Sequence, residues 1–208
     1  MEKVELGSWY TEDMEDNAEK IIVVSKEIDL IIYVLSNRQI VAANDMHILM
    51  LNIETILSHW VRNTYVGHNK EIGLRNAYQK FFKSLYSFIL QCRTIPDKRI
   101  QKLAKAALYQ GTLYRYLGHE YSNYEKSSEK IEPEYNEVWV SWSKNKKNSY
   151  IESKLYGTIT RITCHTSTLY GIDLSVFGVS AGNEEEVVYP TIADQIDKIE
   201  YLEESNYK

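Results

Sequence analysis

Hydrophobic and polar positions change their spacing partway along the chain. Up to about residue 110 the apolar residues recur at intervals of three and four. Ile28, Ile31, Ile32 and Leu35 give one helix face. Asn44 and Asp45 offer an N-cap ahead of Ile48, Leu51 and Ile56. The clearest helix is predicted over Leu74–Cys92. There Ala77, Phe81, Leu85, Phe88, Ile89 and Cys92 form one stripe, away from Gln79, Lys80, Lys83 and Ser87. Pro96-Asp97 opens a further helix lined by Ile100, Leu103, Ala104 and Ala107, with Gly111 as its stop. These stripes read as core.

Beyond residue 110 the period falls to two. Thr112–Leu117 packs Tyr and Leu in quick succession. In Glu137–Ser143, Val138, Val140 and Trp142 share one face and Trp139, Ser141 and Ser143 the other. Lys154–His165 reads as one long strand or two, Glu186–Tyr189 as a short strand closed by Pro190, and Lys198–Leu202 as the last. Ser122–Glu134 and Gly178–Asn183 are loops by composition. The class is therefore α+β. A helical region, 1–110, is expected to pack as one compact unit with a mostly antiparallel β core, 111–208.

Composition narrows the function classes. Hydrophobic residues are 44% and charged residues 25%, as in soluble globular proteins, and a chain of 208 residues can bury a core without metals or disulfides. The net charge of −5, with only Lys144, Lys146 and Lys147 clustered, argues against a nucleic-acid partner. Cys92 and Cys164 form no CxxC pair and read as buried thiols in a reducing compartment. The acidic N-terminus lacks an apolar signal-peptide core, and the longest apolar runs are too short to cross a membrane. A cytoplasmic protein is expected, of the producer or of an invaded cell. Neither the histidines nor His119-Glu120 have metal-ligand spacing, and no Rossmann or P-loop fingerprint is present.

Three short segments can carry chemistry. In Asn183-Glu184-Glu185-Glu186-Val187-Val188-Tyr189-Pro190, alternation puts Glu184 and Glu186 on one face, where one carboxylate can stabilise a cationic centre while the other orients an acceptor. A solvated acidic loop is the plainer alternative. In Leu113-Tyr114-Arg115-Tyr116-Leu117-Gly118, Arg115 interrupts an apolar run and needs a partner, either a structural carboxylate or a bound phosphate. Ser141-Trp142-Ser143 puts two hydroxyls on one strand face, a common surface pattern and also a way to hold a ribose.

Together and in this order, the three segments resemble the arginine–serine–glutamate signature of the mono-ADP-ribosyltransferases: arginine-specific toxins, ecto-enzymes and bacteriophage enzymes. The resemblance covers about residues 112–192 and includes Gly157-Thr158-Ile159-Thr160-Arg161-Ile162. It departs from the usual pattern at Tyr116, where glycine is common, and at Trp142, where threonine is. What it implies is an ADP-ribosyltransferase-type core that takes NAD as substrate, uses no metal and modifies an acceptor protein at arginine. By resemblance Glu186 stabilises the ribosyl cation, Glu184 positions the acceptor guanidinium, and Arg115 holds the NAD phosphates. Ser141 orients Glu186, with Ser143 in support, and Tyr116 lines the nicotinamide pocket. The loop Gly178–Glu185 faces the acceptor. Tyr170 and Phe177 are candidates to stack on nicotinamide, with core packing as the alternative. The other functional readings are a non-catalytic binding module of the same fold, an NAD hydrolase, and a transferase with a non-protein acceptor.

Overall fold

A computed structural model describes residues 18–63, 72–117, 138–146, 159–179, 185–190 and 195–202. The chain divides into two compact units. The first runs to Ala106 and takes in Val176–Val179; the second comprises the remainder from Ala107 onward.

The first unit contains α1 (Ala18–Ser36), α2 (Ala43–Asn63), α3 (Ile72–Cys92) and α4 (Lys98–Ala106). α1 packs on α2 and α3, and α3 on α4. The stripe expected for α3 is buried from Ala77 to Cys92, and Ile28 and Ile31 are buried on α1. On α2 the core residues are Leu49, Ile53, Ile56, Leu57 and Trp60. Trp60 meets Tyr78 and Phe82 edge-to-face, with centroids 4.9 and 4.8 Å apart. Asp97 caps α4, its carboxylate accepting from the Arg99 and Ile100 amides at 2.8 and 3.2 Å.

Three helix details differ from expectation. α2 begins at Ala43, and Met46 N donates to Ala42 O, so Asn44 and Asp45 lie in the first turn rather than at the cap. Leu103 is exposed. α4 stops at Ala106 instead of reaching Gly111, because a two-residue strand follows it.

The described residues of the second unit form a seven-stranded antiparallel sheet. Its strands are β1 (Leu108–Tyr109), β2 (Thr112–Leu117), β3 (Trp139–Ser143), β4 (Ile159–His165), β5 (Gly171–Asp173), β6 (Glu186–Pro190) and β7 (Ile196–Leu202), in spatial order β1-β5-β6-β3-β2-β4-β7. Between β5 and β6 lies one 3₁₀ turn, Leu174–Phe177. β1 and β5 are too short to show alternation, so the hydrophobic pattern does not reveal them.

This strand order forces the sheet to curl. β1 and β2 are joined by Gln110 and Gly111 alone, so the α-carbons of Tyr109 and Thr112 are at most about 11 Å apart. In a flat sheet, four strand spacings would separate them by about 19 Å. Curling resolves the conflict, and the Tyr109 hydroxyl donates to the Thr112 carbonyl at 3.0 Å. The inner face is the core of this unit: Leu113, Val140, Trp142, Ile162, Cys164, Val187 and Tyr189, with Tyr109, Val138, Leu169 and Ile196 packed against them. Gly171 permits the close approach of β5 to β6, since a Cβ there would lie 2.3 Å from a Val187 methyl.

Candidate functional site

The strands bearing the three motifs are widely separated in sequence and consecutive in space, as β6-β3-β2. Their register decides which side chains meet. Ser143 is directly opposite Glu186 on β6 and Tyr114 on β2. Glu186, Ser143 and Tyr114 therefore form a row across three strands, on the face away from the inner core. Ser141 is opposite Val188, which makes it a diagonal neighbour of Glu186. The register gives Ser143 the directly paired position and Ser141 the diagonal one. The Ser143 hydroxyl also accepts from the Asn145 amide at 3.0 Å, closing the turn that ends β3.

Arg115 does not join this row. It pairs with Ile162, between Tyr114 and Tyr116, so strand alternation puts it on the inner face with Leu113 and Ile162. It is half-buried there. Arg115 therefore faces the side of the sheet opposite to Ser141 and Glu186, because a single residue step on β2 reverses the side chain. The β2 residue beside Ser143 on the outer face is Tyr114. Tyr116 is on the outer face but is buried, and its hydroxyl donates to the Lys146 carbonyl, so it fastens β2 to the end of β3. Trp142 is an inner-core residue whose indole donates to the Tyr189 carbonyl at 3.1 Å. The departure from the family pattern at Trp142 therefore leaves the serine face unchanged.

Glu186 is 1% exposed. β6 begins at this residue, and Glu185 before it has a left-handed φ of 44°. That turn interrupts the extended backbone, so alternation along β6 does not carry back past Glu186. Glu184 and most of the Gly178–Glu185 loop lie outside the described residues, as does Gly157-Thr158. Tyr170 and Phe177 are half-buried.

A largely buried ion pair braces the strand entrance. Lys144 Nζ reaches Asp173 Oδ2 at 2.9 Å across the start of β6, while the Lys144 amide donates to the Glu185 carbonyl at 3.3 Å. The other Asp173 oxygen accepts from the Ser175 amide and hydroxyl at 3.1 and 2.6 Å. The pair fixes β3, β5 and β6 relative to one another where Glu186 enters the sheet. Nothing in the sequence pairs Lys144 with Asp173, because they meet only through the strand order.

On the outer face of β4, Arg161 donates to Glu200 Oε2 from Nε and Nη2 at 3.1 and 2.9 Å. Lys198 Nζ adds a contact to Oε1 at 2.8 Å. The Lys198 and Arg161 hydrogen bonds hold the Glu200 carboxyl down at about 2. A second polar group, Thr112, His165 and Asp197, sits at the end of β2, β4 and β7; the three have no recognisable sequence spacing.

Among the described residues, no three His, Cys, Asp or Glu side chains converge as a metal site, and no helix is long and apolar enough to cross a membrane. Burial pushes the Cys92 and Cys164 thiols up to about 12, which removes both as nucleophiles at neutral pH. Comparison with protein-family models, with curated proteins and with solved structures returned no match in any of the three.

Proposed function

We propose that the chain cleaves NAD at Glu186 and transfers ADP-ribose to an arginine of an acceptor protein. The observation that carries this reading is the adjacency of the motif strands, with Ser143 opposite Glu186. The Arg–Ser–Glu resemblance predicts that three distant segments meet, and β6-β3-β2 are neighbours. Loss of nicotinamide from ribose develops positive charge at the anomeric carbon, and nicotinamide departs as a neutral molecule. One carboxylate beside the ribose therefore supplies the main stabilisation, more strongly in a water-poor site such as that around Glu186. Ser143 is the hydroxyl directly opposite it in the register, with Ser141 on the diagonal. Glu184 retains its proposed role toward the acceptor guanidinium. Arg115, facing the inner core, is assigned a structural role in this scheme, and the phosphate contacts fall to outer-face residues.

A second reading, an ADP-ribosyltransferase-like binding module without catalysis, is favoured by the burial of Glu186 and the inward parity of Arg115. Incubation with labelled NAD and a cell lysate, beside Glu186→Gln, separates the two. Label on protein with the wild type alone supports transfer. Nicotinamide release without protein label points to hydrolysis or another acceptor. The absence of both label and nicotinamide release with the wild type refutes the catalytic reading.

A further inference from the structure

We propose a second reactive site in the β unit, independent of the NAD reading: Thr112, His165 and Asp197 form a hydroxyl–imidazole–carboxylate relay that hydrolyses small activated carboxylic esters. Thr112 and His165 are a direct cross-strand pair on β2 and β4, with Oγ1 3.1 Å from Nε2. His165 Nδ1 is 2.7 Å from Asp197 Oδ2. Asp197 reaches the ring because of an irregularity in the β4–β7 ladder. Thr163 pairs with Lys198 and Cys164 with Ile196, so Asp197 is the extra residue of a bulge. Without the bulge, one of two successive β7 side chains would face the inner core; with it, Asp197 turns toward His165. Bulges recur beside reactive sites because they re-aim a side chain in this way.

The hydrogen bonds set the proton positions. A carboxylate only accepts, so the Nδ1 proton points at Asp197. In the neutral ring the lone pair is then on Nε2, facing the Thr112 hydroxyl. This is the tautomer that a general base requires. The side chains of His165 and Asp197 are 60% and 50% exposed, so a small ester can approach from solvent. Two amides, Gln110 Nε2 and Gln195 Nε2, turn toward Ser167 at 3.4 and 2.6 Å at the same end of the sheet.

In the reaction, Thr112 Oγ1 attacks the ester carbonyl as its proton passes to His165 Nε2. The ester C–O bond then breaks and the leaving alcohol or phenolate departs with the bonding pair. His165 delivers the proton to the leaving oxygen or to solvent. Water, deprotonated by His165, attacks the acyl-threonine and releases the carboxylic acid, restoring the hydroxyl. Asp197 is a positioning residue.

The full chain is mixed with p-nitrophenyl acetate, and the reaction is followed by p-nitrophenolate absorbance and by peptide mass. The expected result is a stoichiometric burst with acetyl on Thr112, retained in Thr112→Ser and absent in Thr112→Val. His165→Ala is expected to slow the burst by about 10²-fold, with recovery on adding free imidazole. Such recovery distinguishes lost base chemistry from lost structure. Asp197→Asn is expected to lower the burst rate and shift its pH profile. The proposal is overturned if no burst occurs, if the acetyl group maps to another residue, or if His165→Ala reacts like wild type.

Discussion

Replacing Glu200 by glutamine isolates one electrostatic contribution at the sheet edge. Glu200 is on β7, held by Lys198 and by two donors of Arg161, and its carboxyl is held at about 2 against an ordinary 4.5. Converted without correction, that difference would be about 3.4 kcal/mol. Water screens this site, and the Lys198 side chain is 63% exposed, so the net contribution is about 1 kcal/mol. The folded carboxyl is depressed, so the unfolded chain binds the extra proton on acidification. The contribution is thus fully present above about 4.5 and is lost as the pH falls toward about 2. Urea midpoints of wild type and Glu200→Gln, measured from pH 7 to pH 2, test this. The wild type should lead by about 1 kcal/mol at pH 7, and the curves should converge through the acid range. High salt should narrow the pH 7 gap. A gap that persists undiminished at pH 2, or no gap at pH 7, would refute the reasoning.

Lys144→Met leaves Asp173 buried without its cation and should cost about 2–3 kcal/mol in chemical denaturation, whereas replacing both partners by apolar residues should recover much of it. Both cysteines, pushed up to about 12, should resist a thiol reagent at pH 8 in the native chain and react fully in denaturant; rapid native labelling would contradict their burial. Asp97→Ala removes two cap bonds from α4 and should lower stability by about 1 kcal/mol by thermal melting, with Asp97→Asn retaining most of it. Glu186→Gln should melt near the wild-type temperature and abolish nicotinamide release from NAD; a mutant with full activity would remove Glu186 from the reaction.

How much of the molecule is legible in its sequence follows how local each cause is. The α3 stripe and the two faces of Trp139–Ser143 are set by side-chain periods of 3.6 and 2, which need only neighbours in sequence. β1 and β5 carry too few residues for a period; they exist because β6 and the curl supply partners. Leu103 fits the apolar spacing of α4 but is exposed, because periodicity does not reveal how much of a short helix is covered. At the candidate site the motif strands are identifiable from sequence, and their register is not. Whether Ser141 or Ser143 faces Glu186, and on which side Arg115 emerges, depends on a pairing that one residue of slip inverts. The Glu184–Glu186 alternation assumes extended backbone through Glu185, and the left-handed φ there is not encoded by any glycine. Thr112, His165 and Asp197 cannot be linked from sequence, since a ladder bulge brings them together.

The curled strand order also sets how the β unit must fold. Its ladders join partners distant in sequence: Leu108 with Ile172, Thr112 with His165, and Trp142 with Val187. Among the described residues, no strand is paired with its immediate successor except β2 with β3 and β5 with β6. The edge strand β7 supplies the last ladder, so β4 remains an open edge until residues 196–202 have been synthesised. Such a topology closes long loops before it gains many contacts, which puts folding in the millisecond-to-second range rather than in microseconds. While β4 waits, Ile162 and Cys164 stand on a strand paired with β2 on one side only, and that interval is when the nascent chain is most exposed to aggregation or to capture by a chaperone.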